Sequence, residues 1–136
     1  MDDEKRAEDI YKMEALMAEG YCCSQIIMKM ALDQRGVINE EMLDAVSALC
    51  NGLKTGNNCG SLTAAALVLA MADKRMSGIT VMALVDWFKK TYGSLDCFDI
   101  IGKNRERLAE LCPSIIHESY FKAMDILKEY NLSLLN

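Results

Sequence analysis

The stretch "KTGNNCGSLTAAALVLAMADK", residues 54–74, joins a small polar loop to a run of residues that is apolar on nearly every side. A helix that is apolar around its whole circumference is typical of the centre of a helical protein. The stretch therefore predicts a buried central helix around which the other helices pack. It also places one thiol, Cys59, at the junction of loop and helix.

The same helical periodicity extends along the rest of the chain, which contains one proline and eight glycines. Apolar residues recur at three- and four-residue steps, and no segment alternates strictly between apolar and polar residues. The pattern predicts an all-α fold, a single compact bundle of six or seven helices that forms one domain over residues 1–136. Helices are predicted over about residues 3–19, 21–34, 40–50, 59–76, 79–92, 96–101 and 113–130, with a further turn or two over 104–111.

Three of the predicted helix ends depend on particular residues. Asn39 is a favourable N-cap for the third helix. Ser77 and Gly78 are expected to end the central helix. Pro113 is expected in the first turn of the last helix, where its missing N–H costs nothing.

Composition and charge exclude several classes of protein. Apolar residues make up 51% of the 136 residues and the formal charge is −5, so the chain should fold and should not bind nucleic acid, which requires a basic surface. The charged N-terminus has no apolar core like that of a signal peptide, and no apolar run approaches the ~20 residues that span a bilayer. We therefore expect a cytoplasmic protein with no membrane contact. Thiols are kept reduced there, so structural disulfides are not expected among the six cysteines.

Four of the cysteines occupy similar positions in the predicted helices. Cys23, Cys59 and Cys97 fall in first turns, and Cys112 directly precedes Pro113. The free N–H groups and the dipole of a helix N-terminus favour a thiolate and lower its pKa, whereas burial raises the pKa. The sequence leaves open which of the two effects is larger.

Each of these four thiols also begins the inward face of its helix, so the four could meet at one end of the bundle. Converging sulfurs could form a dithiol/disulfide pair, a tetrahedral metal site or the ligands of an iron–sulfur cluster. They could equally pack as small hydrophobic residues, because cysteine is often buried. If the site is a redox site, Cys59 is the predicted nucleophile.

The remaining two cysteines are predicted to have other roles. Cys50 lies on the buried face near the end of its helix and is interpreted as a core residue. Cys22 is adjacent to Cys23, and a bond between neighbouring cysteines is strained. Cys22 is therefore interpreted as an accessory thiol, not as the partner of Cys23.

Four motifs in order along the chain resemble the C-GCAxxG-C-C family, whose members are described as redox-active proteins. The motifs are "YCCSQ", "NGLKTGNNCGSLTA", "LDCFDIIG" and the downstream Cys112, and the resemblance covers about residues 20–115. It implies thiol redox or electron-transfer chemistry by Cys23, Cys59, Cys97 and Cys112. Two residues depart from the family pattern. Ser61 replaces the usual alanine. Ala64 replaces the usual glycine, and its methyl group would narrow any space for a cofactor against that helix.

Three functions are thus open: a redox protein of oxidoreductase type, a metal or iron–sulfur protein using the same four cysteines, and a non-enzymatic helical interaction module. Gly56 and Gly60 are the candidates for close approach of the backbone to a cofactor or to the thiols. The only histidine, His117, is interpreted as a partly exposed helix residue and not as a ligand or proton acceptor. The expected partners are an unidentified redox protein and, from the methionine-rich apolar surface, a second copy of the chain.

Overall fold

The central helix of the fold is the apolar segment that follows Cys59. A computed structural model describes residues 3–102 and 108–135, except for the side chains of residues 108–110. Within these ranges it contains seven α-helices and no strand, which confirms the predicted all-α class. They are α1 (Asp3–Ala18), α2 (Cys23–Arg35), α3 (Glu40–Val46), α4 (Gly60–Ala72), α5 (Ser77–Tyr92), α6 (Cys97–Ile101) and α7 (Leu108–Glu129).

Helix α4 packs against α2, α5 and α7, so it contacts neighbours on most of its circumference. Ala64, Ala65, Val68 and Leu69 of α4 are fully buried. The small residues let the neighbouring helices approach, and the larger ones fill the space between them. The prediction of a buried central helix is confirmed.

The capping residues explain where several helices begin and end. Asn39 caps α3 as predicted, because its side-chain oxygen accepts the Met42 N–H at 3.0 Å. Gly36 ends α2 in the left-handed conformation, with φ of 72°. The turn between α4 and α5 is formed by Asp73, whose carboxylate accepts the backbone N–H groups of Arg75 and Met76.

Two predicted boundaries, the end of the central helix and the start of the last helix, are wrong. Ser77 and Gly78 do not end the central helix; they begin α5, because the Asp73 turn has already ended α4. Pro113 lies inside α7 and not in its first turn, so the last helix begins earlier than predicted, at Leu108. A proline one turn into a helix removes a single hydrogen bond, and the packing of α7 against α4 and α5 compensates for this loss. Of the turn predicted over 104–111, residues 104–107 lie outside the described part of the chain.

The connection from α3 to α4 departs most from regular helix. A 3₁₀ turn, Ser47–Leu49, follows α3, and an irregular turn, Gly52–Gly56, follows Asn51, with non-helical backbone angles at Leu53 and Lys54. The predicted third helix therefore ends at Val46, and the segment up to Cys50 is a tighter turn. This irregular segment carries the chain from Cys50 to Cys59.

No helix in residues 3–102 or 108–135 combines the length and the apolar content that crossing a membrane requires.

Candidate redox site

The loop between Cys50 and Cys59 has an unusual backbone. Four of its non-glycine residues have positive φ, a conformation that side chains disfavour: Asn51, Leu53, Lys54 and Asn58. Each such residue costs on the order of 1 kcal/mol or more, and such costs concentrate at functional sites. The loop is held in this shape by its contacts with the rest of the protein.

Two hydrogen bonds attach the end of this loop to the segment before α6. The backbone N–H of Cys59 donates to the Leu95 carbonyl at 2.7 Å, and that of Asn58 donates to the Asp96 carboxylate at 2.9 Å. Asp96 is also the N-cap residue of α6, whose first residue is Cys97. The two bonds therefore bring the start of α4 next to the start of α6, and with them two thiols that lie 38 residues apart in sequence.

The two glycines singled out in the sequence lie where neighbouring atoms leave no room for a side chain. A Cβ on Gly60 would lie 2.7 Å from Cys23 Sγ and 2.7 Å from the Leu49 carbonyl oxygen. A Cβ on Gly56 would lie 2.3 Å from the ring of Phe98. The glycines thus allow close packing of protein atoms, and in the case of Gly60 the packed atom is a thiol sulfur. Binding of a cofactor by these glycines stays a prediction.

The structure brings the four predicted cysteines together. Each of the four thiols is free, and each interacts electrostatically with the other three. Cys59 and Cys97 are buried, whereas Cys23 and Cys112 are half-buried. We call these four residues the four-thiol cluster.

The positions of the four thiols in their helices match the prediction only in part. Cys23 and Cys97 are the first residues of α2 and α6, and Cys59 is the N-cap residue of α4. Cys112 lies inside α7, because this helix starts at Leu108. The prediction that Cys112 lies at a helix start is therefore wrong, although the residue still reaches the cluster.

Burial, and not the helix N-termini, dominates the protonation of the four thiols. Burial raises the pKa of Cys59 to about 11 and that of Cys112 to about 12, and the charges of neighbouring cysteines act in the same direction. Burial also raises the pKa of Cys23 and Cys97. Backbone N–H groups of α4 lower the pKa of Cys59, but by less than burial raises it. At neutral pH the cluster is therefore protonated in this conformation.

Cys23 differs from the other three thiols in the number of donors around it. The backbone N–H groups of Asn51 and Ser24 and the hydroxyl of Ser61 oppose the effect of burial on its pKa. The Asn51 N–H is available to Cys23 because the irregular loop begins at that residue. Ser61, which departs from the family pattern, is 1% exposed and supplies a donor that alanine would lack.

Cys22 and Cys50 form a disulfide with a Cα–Cα distance of 6.1 Å, within the normal range for such bonds. The expectation that the chain has no disulfide is wrong, and so is the interpretation of Cys22 as an accessory thiol. Cys50 is buried as predicted, at 2% exposure, but it is bonded and is not merely a packing residue. The bond links the N-cap residue of α2 to the end of the 3₁₀ turn.

One further residue next to the cluster was not predicted. Tyr92 interacts electrostatically with Cys59, and its hydroxyl donates to the Glu118 carboxylate at 3.0 Å. Burial raises the pKa of Tyr92, and the hydrogen bond to Glu118 raises it further. In the sequence Tyr92 is one of several residues on the apolar face of its helix, so the spacing did not indicate that it lies near Cys59. His117, by contrast, is partly exposed as predicted, and its charged neighbours are Glu14 and Glu118.

Binding of a metal ion or an iron–sulfur cluster by the four cysteines stays a prediction. Across the described ranges, no three His, Cys, Asp or Glu side chains are arranged to hold a metal ion.

Comparison with known proteins identifies the class. The model of the family described as "Putative redox-active protein (C_GCAxxG_C_C)" matches residues 21–126, most of the chain. This protein belongs to that family, as the resemblance implied. Separate comparisons with curated proteins and with solved structures found no match.

Proposed function

We propose that this protein is a thiol redox protein that transfers electrons through the four-thiol cluster. The supporting observation is that four free thiols from four different helices all lie within electrostatic range of one another. Membership of a redox-active family points to the same chemistry. The proposed location is the cytoplasm, where such thiols are maintained in the reduced state.

Cys23 is the best-placed attacking thiol. The thiolate is the reactive form, so the attacking residue must be accessible and its charge must be stabilised. Cys23 is half-buried and has donors from Asn51, Ser24 and Ser61, whereas Cys59 is 7% exposed. The geometry thus supports Cys23 better than Cys59, the nucleophile expected from the sequence.

Cys59 is the proposed resolving thiol. Its neighbour Gly60 lies against Cys23 Sγ, so the start of α4 is already next to the attacking sulfur. The Cys23 thiolate attacks one sulfur of a substrate disulfide, and the other substrate sulfur leaves as a thiolate and takes a proton. The Cys59 thiolate then attacks Cys23 Sγ and releases the second substrate thiol. Two protein thiols are oxidised to one disulfide, and the substrate gains two electrons and two protons.

Cys97 and Cys112 are proposed as the second dithiol of the cluster. They interact with each other and with the first pair, so they can reduce the Cys23–Cys59 disulfide by the same exchange. The partners expected from the sequence, a redox protein and a second copy of the chain, stay predictions.

The test begins with protein purified without oxygen and analysed for metal content and visible absorbance. The folded protein is then treated with oxidised glutathione, and the state of each cysteine is mapped by differential alkylation and mass spectrometry. We expect metal-free protein in which Cys23 and Cys59 form a disulfide that a dithiol reverses. Replacement of Cys23 by serine should abolish this oxidation, whereas replacement of Cys112 should leave the first step intact.

Two other outcomes would contradict the proposal. Tightly bound iron or zinc that is lost when the four cysteines are replaced would identify a metal or iron–sulfur protein. Four thiols that resist oxidation until the chain is unfolded would show that the cysteines only pack, as in an interaction module.

A further inference from the structure

The Cys22–Cys50 disulfide has an asymmetric environment. Cys22 is half-buried at the start of α2, while Cys50 is 2% exposed. Of the two residues, Cys22 is therefore the one that an external thiolate can approach. Attack on a disulfide is directed by access to the two sulfurs, so this arrangement fixes which bond would form first.

Polar side chains surround both sulfur atoms of this disulfide. The Ser24 hydroxyl lies 2.9 Å from Cys50 Sγ and 3.6 Å from Cys22 Sγ. The side-chain carbonyl oxygen of Gln25 lies 3.4 Å from Cys22 Sγ and accepts the Cys22 backbone N–H at 3.2 Å.

The orientation of these two side chains is fixed by the protein. Ser24 is fully buried and donates its proton to the Val46 carbonyl at 2.7 Å. The Gln25 amide nitrogen donates to the Leu43 carbonyl at 3.0 Å, which points the amide oxygen towards Cys22. Both oxygens next to the sulfurs are thus hydrogen-bond acceptors.

The Gln25 oxygen already accepts the Cys22 backbone N–H, and both acceptors can also take thiol protons once the disulfide is broken. A disulfide has no S–H group, whereas a reduced pair has two thiol protons, one of them on a buried residue. In the reduced state the Cys22 thiol can donate to Gln25 and the Cys50 thiol to Ser24. Each thiol of the reduced pair then has a nearby hydrogen-bond acceptor.

We propose that Cys22–Cys50 is a second, reversible redox site that is opened by an external dithiol through attack at Cys22. One thiolate of the dithiol bonds to Cys22 Sγ, the Cys22–Cys50 bond breaks, and Cys50 takes the electron pair and a proton. The second thiolate of the dithiol then attacks the dithiol sulfur that is bonded to Cys22, and Cys22 is released as a thiol. The dithiol becomes a disulfide, and the protein gains two electrons and two protons.

The first test uses the unaltered chain, so it does not depend on the folding of a variant. The folded protein is treated with dithiothreitol, and every cysteine is mapped by differential alkylation. We expect Cys22 and Cys50 to become reduced together while circular dichroism shows an intact fold, and to pair again in oxidised glutathione. Reduction only after unfolding in urea would overturn the proposal and identify a structural disulfide.

The second test uses two matched variants, Cys50→Ala and Cys22→Ala, each of which leaves one sulfur of the pair. With oxidised glutathione, the folded Cys50→Ala protein should form a mixed disulfide at Cys22. The folded Cys22→Ala protein should form none at Cys50. The opposite pattern would overturn attack at Cys22. Differential alkylation reports the cysteines of the four-thiol cluster separately from Cys22 and Cys50. An inert Cys22–Cys50 disulfide and an inert four-thiol cluster can therefore be distinguished.

Discussion

Replacement of Gly60 by alanine tests the close approach of α4 to Cys23. The added Cβ would lie 2.7 Å from both Cys23 Sγ and the Leu49 carbonyl oxygen. The cysteine side chain can rotate away, but the carbonyl belongs to the backbone of the 3₁₀ turn and can move only with that turn. The substitution should therefore displace the Cys23 thiol and disturb the segment that leads to Cys50.

The chain contains a matched control for this substitution. Gly78 also lies in the first turn of a helix, and a Cβ there would have no atom within 4 Å. Alanine gains about 0.5–1 kcal/mol over glycine from helix propensity at both positions. Overpacking costs about 1–3 kcal/mol, and only Gly60→Ala incurs it. Gly60→Ala should thus be less stable than Gly78→Ala by about 1–3 kcal/mol.

The assay is urea unfolding of both variants and the parent under identical reducing conditions, followed by alkylation of the folded proteins. Gly78→Ala should be as stable as the parent or slightly more so, with an unchanged alkylation rate at Cys23. Gly60→Ala should show the stability loss and an altered rate at Cys23. Equal stability of the two variants, with equal reactivity of Cys23, would refute the argument that Gly60 is required for contact with the thiol.

Three further predictions follow from the site. The free energy of unfolding should fall as pH rises from about 9 to about 11, because the folded state keeps the Cys59 proton that the unfolded chain releases. Below about pH 9 the stability that Cys59 contributes is fully present. The slope should reach about 1.4 kcal/mol per pH unit for this thiol, and urea unfolding of Cys59→Ser should show a shallower decline. Replacement of Glu118 by glutamine should lower the pKa of Tyr92 towards its ordinary value, measured by phenolate absorbance, while Glu14→Gln should leave it unchanged. Leu53→Gly should leave stability unchanged or raise it by up to about 1 kcal/mol, because Leu53 has a φ of 58°, which glycine adopts without strain. The control Leu67→Gly within α4 should lower stability by about 1 kcal/mol, and urea unfolding compares the two variants.

Much of the helical architecture was predictable, because the periodicity of apolar residues reflects burial directly. The central position of α4 followed from its lack of a polar face, and the cap at Asn39 followed from a local hydrogen bond. The errors arose where a residue that usually ends or begins helices was overridden by its neighbours. Asp73 ended α4 before Ser77, and Pro113 was accommodated within α7.

The Cys22–Cys50 disulfide could not be predicted from spacing. The two cysteines are 28 positions apart, the intervening segment includes α3 and a 3₁₀ turn, and the direction of that turn places Cys50 beside the start of α2. The neighbouring "SQ" of "CCSQ" carried a usable signal: a buried serine and a glutamine in the first turn of an otherwise apolar helix require polar partners. In the structure those partners are the Val46 and Leu43 carbonyls of α3 and the backbone N–H of Cys22.

The protonation of the cluster shows why helix position alone could not define the chemistry. A thiol at a helix start is stabilised as a thiolate only if water or other donors also reach it. Cys59 is the N-cap residue of α4, yet the segments that cover it come from elsewhere in the chain, including the Leu95 backbone and α5 with Tyr92. Desolvation by these segments outweighs the helix terminus, so its pKa rises. Cys23 lies in the same cluster but keeps partial access to solvent and three additional donors. Differences in solvent access and in nearby donors, and not in sequence motif, therefore distinguish the environment of Cys23 from that of Cys59.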